Sequence, residues 1–252
     1  MQHIGLHSVF YLIKKNNKIM KRTLLFTMAL LVSALTTSSF AQSAYRETRQ
    51  VKDFDEIGFS VSGEIYITFG SEYKVVLEGD KSYISNIETK VMGHTLEIKK
   101  DSWSHFDSEK VNAYVTLPAL KGLSISGSAK AYFNEPLKSD SFDLSIAGSG
   151  KVYIKEIEVD KFESSIAGSG RVEMSGTGNI KDAEISISGS GTYIANDVNV
   201  GALDISIAGS GRCEVNVTGL IKGTIAGSGN ILYSGNPKID ASVFGSGHIT
   251  KK

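Results

Sequence analysis

Residues 145–150 read Ser-Ile-Ala-Gly-Ser-Gly, and this stretch recurs along the second half of the chain. Close copies occupy residues 165–170, 186–191, 206–211 and 224–229, and looser copies occupy residues 124–129 and 242–247. The first glycines of successive copies are separated by 21, 20, 21, 20, 18 and 18 residues. A fixed period of about 20 residues indicates a solenoid, in which each repeat stacks on the one before it.

Apolar and polar residues alternate around the repeated glycine. The residue two positions before it is β-branched and apolar in every copy: Ile125, Ile146, Ile166, Ile187, Ile207, Ile225 and Val243. Alternation with a period of two is typical of strands that bury one face. Glycine reaches positive φ without a Cβ clash, so each Gly-Ser-Gly predicts a corner between strands. The fold class predicted is all-β, a parallel β-helix or β-solenoid with coils of about 20 residues.

The two halves of the predicted solenoid differ in regularity. Residues 122–250 hold the regular Gly-Ser-Gly coils, whereas residues 45–121 hold less regular strands and a possible helical turn. We expect this first half to begin the same stack and to cover its first coil, because a solenoid needs its ends protected. No linker composition separates the halves, so residues 42–252 are predicted to form a single domain.

Residues 1–41 are predicted to be an over-long start followed by a signal peptide. A basic start at residues 20–22 precedes an apolar core at residues 24–35 and small residues near position 41. This order is typical of a cleaved export signal, with Gln42 as the first mature residue. The apolar run is short for a membrane span, so we expect no span in the mature chain.

Several short motifs resemble those of one protein family. Residues 54–57 read Phe-Asp-Glu-Ile, residues 95–98 read Thr-Leu-Glu-Ile and residues 115–118 read Val-Thr-Leu-Pro. Together with the repeats, they resemble the family called putative auto-transporter adhesin, head GIN domain, over nearly all of residues 45–250. The resemblance implies a right-handed β-helix that is exported by a Gram-negative bacterium to the periplasm or the cell surface.

The composition argues against several functional classes. Lys and Arg number 27 and Asp and Glu number 27, so no excess positive charge points to nucleic acid. Cys213 is the only cysteine and falls in an inward column, which predicts a core thiol and excludes a disulfide within the chain. No histidines have metal-ligand spacing, and the position after each corner has no aspartate column. We therefore expect no metal, no cofactor and no catalytic residue.

Two outward columns are the candidate ligand-facing positions. One is basic, with Lys130, Lys151, Arg171 and Arg212, and the other carries hydroxyls, with Ser145, Ser165, Ser186 and Ser206. The basic column could bind an anionic glycan, or its charges could pair with carboxylates such as Glu173 and Glu214. The serines could hydrogen-bond a saccharide, or they could simply stack on one another.

Three functional classes follow from these observations. We favour an exported, non-enzymatic binding or adhesion module of the cell envelope that contacts glycan or an envelope protein. The alternatives are a carbohydrate-active β-helix enzyme and a purely structural spacer, the former only by analogy of fold. The last coil, around Ile249, has no obvious cover. It is predicted to dock on a second copy or an envelope partner, unless the Pro237 region or the first half folds over it.

Overall fold

The computed structural model describes residues 44–101 and 110–252. The predicted over-long start and signal peptide lie outside these described residues. Ala44–Lys252 form one compact unit, which is a β-solenoid of about six turns. The all-β prediction is therefore confirmed. No helix in the described part of the chain has the length and apolar character needed to cross a membrane.

The strands of the first half are short and are interrupted by one helical turn. They are β1 (Tyr45–Arg49), β2 (Glu56–Ser60), β3 (Gly63–Phe69), β4 (Lys74–Gly79), α1 (Lys81–Ile84), β5 (Ile87–Met92), β6 (Thr95–Lys100) and β7 (Val111–Leu117). The helical turn begins at Asp80, whose carboxylate accepts hydrogen bonds from the backbone N–H groups of Ser82 and Tyr83.

Most strands of the second half alternate between short and long. They are β8 (Gly122–Gly127), β9 (Lys130–Phe133), β10 (Leu137–Gly148), β11 (Lys151–Ile154), β12 (Ile157–Gly168), β13 (Arg171–Met174), β14 (Gly178–Gly189), β15 (Thr192–Gly209), β16 (Arg212–Gly227), β17 (Asn230–Gly235), β18 (Lys238–Gly245) and β19 (His248–Lys251). The alternation runs from β8 to β14, whereas β15 and β16 each run through what are a short and a long strand in the earlier coils. Every neighbouring pair in this half is parallel, and the repeats stack in register. Gly148 lies beside Gly168, and Ile146 beside Ile166.

Each regular coil consists of one short strand and one long strand that bends. In β12, Ile157 and Val159 are buried, Asp160 and Lys161 are both exposed, and Phe162 is buried again. The alternation slips by one residue at this point, so the long strand turns and contributes two sides of the coil. We call the side that leads into the Gly-Ser-Gly corner the long-strand face. The side that follows the corner is the short-strand face.

The corner needs glycine for conformation and for stacking. Gly148 has φ +115°, and a Cβ placed on it would lie 2.6 Å from the carbonyl oxygen of Gly127 in the neighbouring coil. The same carbonyl accepts a 2.8 Å hydrogen bond from the backbone N–H of Ser149. A side chain here would therefore disrupt both the corner and the contact between coils.

The first half extends the stack in an order that differs from the chain order. Strand β2 lies between β6 and β8, and β3 lies between β7 and β9. Strand β4 then adds antiparallel to β7, β1 adds antiparallel to β4, and β5 adds antiparallel to β6. The first half thus begins the same stack, as predicted, and closes its N-terminal end with antiparallel strands.

The core is a continuous column of apolar side chains inside the coils. Ile146, Ile166, Ile187 and Ile207 are each at most 1% exposed, as the inward ladder predicts. The C-terminal coil, which we define as β18 and β19, pairs with β16 and β17 on one side only. Within the described residues the first half lies at the opposite end of the stack, so it does not fold over this coil.

Candidate binding surface

The predicted serine column lies on the long-strand face and is exposed. Ser145, Ser165, Ser186 and Ser206 occupy adjacent positions in neighbouring strands. Their hydroxyls make no hydrogen bond within the described residues, so they are available to a ligand. A second outward column beside them holds only small residues: Ala147, Ala167, Ser188 and Ala208. Together the two columns form a flat surface rich in free hydroxyls.

An acidic column flanks the serine column on the same face. Asp143, Glu163, Glu184 and Asp204 are exposed and lie directly beside one another in successive coils. One of them, Glu163, has an ion pair among the described contacts, with Lys161 at 3.9 Å. The long-strand face thus carries an ordered column of carboxylates that was not predicted from the sequence.

The acidic column could have been found from the sequence. Its members stand five residues before the first glycine in four successive repeats, whereas the position after each corner holds no aspartate column. Within the described ranges, no three His, Cys, Asp or Glu side chains are placed to hold a metal ion. The column is a line of exposed hydrogen-bond acceptors.

A shallow groove of about 280 Å³ interrupts the acidic column at Gly122. Gly122 lies between Glu56 and Asp143, and a Cβ at this position would lie 3.2 Å from Cγ of Glu56. The groove is lined by these residues and by Ile57, Thr95, Leu123, Ser124, Leu144, Ser145, Glu163 and Ser165. Thr95 donates a 2.6 Å hydrogen bond from Oγ1 to Glu56.

A second groove lies further along the long-strand face. It has a volume of about 200 Å³ and is lined by side chains that include Lys161, Asp182, Glu184, Asp204 and Lys222. The groove forms at Ala202 because this side chain is smaller than those of Asp182 and Leu220, which occupy the same position in the neighbouring coils. Both grooves are lined by carboxylates, and the groove at Gly122 also includes Ser145 and Ser165 of the serine column.

The predicted basic column lies on the short-strand face, on the other side of the corner from the serines. Lys130 pairs with Glu64 at 3.1 Å, Arg171 with Glu173 at 4.0 Å, and Arg212 with Glu214 at 2.7 Å. Lys151 is exposed and has no such partner within the described residues. Three of the four cations therefore have an ion-pair partner; the pair of Lys130 joins two neighbouring strands, whereas those of Arg171 and Arg212 lie within one strand.

Four tyrosines form a ladder in the next outward column of the short-strand face. The ring of Tyr66 stacks between those of Tyr114 and Tyr132, and Tyr132 stacks on Tyr153, with centroids 5.1–5.2 Å apart. The hydroxyl of Tyr66 donates to Glu64 at 2.5 Å, and this bond is the main reason that its pKa is raised to about 12. The faces of the inner rings are occupied by neighbouring rings, so the ladder is a structural element.

Cys213 is fully buried beneath the short-strand face, which confirms the predicted core thiol. Burial raises the pKa of this thiol well above its usual range, with a smaller contribution from Glu214. A buried, protonated thiol is a poor nucleophile. Cys213 therefore packs as a small apolar residue, between the column positions of Tyr193 and Ile231.

Solved structures of similar proteins share this architecture. A crystal structure of a putative adhesin from Bacteroides fragilis matches with a TM-score of 0.78 and 25% identity, covering 84% of this chain and 98% of that chain. A putative lipid binding protein from Parabacteroides distasonis matches with a TM-score of 0.68 and 25% identity, with the same coverage. A putative adhesin from Parabacteroides merdae matches with a TM-score of 0.65 and 23% identity, covering 84% of this chain and 97% of that chain.

A family model matches most of the solenoid. Its description is putative auto-transporter adhesin, head GIN domain, and it spans residues 53–237. A comparison with curated proteins finds no match. The matched span includes the first half, the Gly-Ser-Gly corners and both grooves of the long-strand face. The chain therefore belongs to the putative auto-transporter adhesin, head GIN domain family.

Proposed function

We propose that this protein is an exported, non-enzymatic adhesion module of the bacterial cell envelope, and that its long-strand face binds a neutral glycan. The observation that carries the proposal is the placement of the free serine hydroxyls beside the acidic column. Sugar hydroxyls donate to carboxylates and accept from serine hydroxyls, so adjacent columns of these groups suit a saccharide. The groove at Gly122 brings Asp143 and Ser145 together at one position.

The charge of the long-strand face selects the class of glycan. Asp143, Glu163, Glu184 and Asp204 would repel an anionic polysaccharide. The basic column that could attract one lies on the short-strand face, where most of its charge is neutralised. This arrangement favours a neutral glycan over the anionic glycan that the basic column first indicated.

Similarity to other proteins supports adhesion as the broader role. The family description and two of the solved relatives name adhesins. Another relative is named as a lipid binding protein. Lipid binding would require an apolar cavity. The grooves found on the described long-strand face are shallow, and both have carboxylates in their lining.

A carbohydrate-cleaving activity is the second candidate, because the acidic column places carboxylates in successive coils. Glycosidases use two carboxylates, one of which acts as a general acid in a sheltered environment. All four side chains of the column are exposed. Exposed carboxylates suit hydrogen bonding to a bound sugar better than proton donation, so the proposal assigns them a binding role.

The test is a glycan array probed with the chain from Gln42 onward, followed by titration of any hit. We expect neutral glycans to bind and acidic ones to be rejected. Asp143→Ala should weaken binding at least tenfold, whereas Asp197→Ala, at an exposed position of β15 outside both grooves, should not. Release of reducing ends from neutral polysaccharides would instead favour the enzyme. Failure to bind any glycan or envelope fraction would favour a spacer.

A further inference from the structure

Within the described residues, the C-terminal coil leaves inward-facing apolar residues uncovered. Ile239 is 45% exposed and Val243 is 40% exposed, although their neighbours Ile221 and Ile225 in the adjacent coil are fully buried. Phe244 points outward on the same strand and is 68% exposed. Strand β18 therefore combines an unpaired backbone edge with exposed apolar side chains, which soluble proteins usually avoid.

The other end of the solenoid is protected in a different way. Its outermost strands are β1 and β5, which run antiparallel to their neighbours. Strand β1 carries Arg46, Glu47 and Arg49, and β5 carries Glu88 and Lys90. Charged edge strands resist pairing. Docking of the C-terminal coil on this end of another copy, which would also grow a fibre, is therefore disfavoured.

We propose that β18 docks on β18 of a second copy in a two-fold, antiparallel pair. A two-fold pair uses the same surface on both copies and closes without further growth. The inward residues of β18 must meet inward residues of the second copy, because a shift by one residue would place apolar side chains opposite polar ones. This condition leaves only registers that are centred on a residue, rather than between two residues.

Charge and apolar matching select one of these registers. A pair centred on Asp240 would place two carboxylates directly opposite each other. A pair centred on Ser242 would place Ile239 opposite Gly245 and leave it uncovered. A pair centred on Ala241 places Ile239 opposite Val243 in both directions, and Asp240 opposite Ser242. This register covers both inward apolar residues without opposing like charges.

The same register accounts for the exposed aromatic residue. With Ala241 at the centre, Lys238 lies opposite Phe244 of the second copy. The aliphatic stem of a lysine covers apolar surface, and its ammonium group interacts favourably with an aromatic ring. The three large apolar residues that β18 exposes are thus each matched by one pairing.

The first test measures molar mass at high micromolar concentration by light scattering. The chain from Gln42 onward should be a dimer. Val243→Asp should be a folded monomer, because it places a carboxylate inside the pair. Ala147→Asp introduces the same charge on an exposed position of an inner coil and should remain dimeric. A monomeric wild type, or growth beyond a dimer, would overturn the proposal.

The second test measures the register by disulfide formation under mild oxidation. Ala241→Cys places two thiols opposite each other at the centre, so the dimer should cross-link. Ser242→Cys should not, because its two copies lie on a diagonal in this register. The native Cys213 is buried and provides the unreactive background. Cross-linking through Ser242→Cys with none through Ala241→Cys would overturn the pairing centred on Ala241.

Discussion

At the scale of single residues, backbone geometry and local charge set what each position tolerates. The first glycine of every repeat has a positive φ, and from Gly148 onward a Cβ at this position would also overlap the carbonyl oxygen of the preceding corner glycine. Both requirements recur about every 20 residues, which explains why glycine is the repeated residue. The serine between the two glycines does not need a positive φ; it contacts the neighbouring coil through its backbone N–H, and its side chain is exposed.

A corner glycine should be sensitive for two separate reasons. Gly189 has φ +113°, and a Cβ there would lie 2.6 Å from the carbonyl oxygen of Gly168. We expect Gly189→Ala to reduce the free energy of unfolding by about 3 kcal/mol or more, from strain and from steric overlap. Gly93→Ala is the matched control, because Gly93 has φ +64° and open space around it. Gly93→Ala should lower the free energy of unfolding, measured with denaturant, by about 1 kcal/mol. An equal loss in Gly189→Ala and Gly93→Ala would contradict the importance of stacking at the corner.

Glu214 should make the C-terminal region sensitive to pH. It accepts hydrogen bonds from Lys252 and Arg212 and one from Asn196, and its side chain is 14% exposed. The bond from Lys252 is the largest reason that its pKa is lowered from 4.5 to about 2. A depressed pKa stabilises the fold above pH 4.5, and this stabilisation is lost as the pH falls toward 2.

The comparison of Glu214→Gln with the wild type measures this contribution. We expect the free energy of unfolding of the variant to be about 1 kcal/mol lower than that of the wild type at pH 7, and this difference to vanish near pH 2. Glu173→Gln is the control, because Glu173 lies 4.0 Å from Arg171 and is 38% exposed. A difference between Glu214→Gln and the wild type that persists unchanged to pH 2 would contradict the assigned role of the carboxylate.

At the scale of elements, the periodicity of the sequence predicted more than its local motifs did. The inward isoleucine ladder and the corners follow directly from columns at fixed offsets, and the structure confirms both. The placement of β2 between β6 and β8 could not be predicted, because the first half has no repeat to fix its register. The acidic column is visible in the sequence at a fixed offset, but it was not predicted because it lies five residues before the glycine rather than beside it.

The inward ladder should respond to charge according to its depth in the stack. Ile187 is 1% exposed, whereas Val243 in the same column is 40% exposed. Ile187→Asp buries an unpaired carboxylate and should lower Tm sharply or prevent folding. Val243→Asp should retain a Tm close to that of the wild type, when both are measured at a protein concentration at which they are monomeric. An unchanged Tm for Ile187→Asp would contradict the solenoid core.

At the scale of the whole molecule, we propose that the chain is exported and binds glycan through its polar long-strand face. We propose export from the composition of residues 20–41, which lie outside the described residues. Mass spectrometry of the protein purified from its native cell should find an N-terminus at or near Gln42. Recovery of a full-length cytoplasmic chain that starts at Met1 would contradict export.

The proposed function distinguishes two faces of the same coils, since glycan should bind to the long-strand face and not to the short-strand face. Ser165 lies in the serine column of the long-strand face and borders the groove at Gly122. Thr192 lies on the short-strand face, in the column of Arg171 and Arg212. Both residues stand in regular inner coils, so substitution by arginine adds the same side chain to two surfaces of the same scaffold.

The most direct test of the account compares Ser165→Arg with Thr192→Arg in binding to a neutral glycan identified on the array, with Tm measured for both variants. If the long-strand face is the binding surface, Ser165→Arg should abolish binding because its side chain obstructs the flat hydroxyl surface, whereas Thr192→Arg should bind as the wild type does. Loss of binding in Thr192→Arg with full binding retained in Ser165→Arg, at equal Tm, would contradict the account.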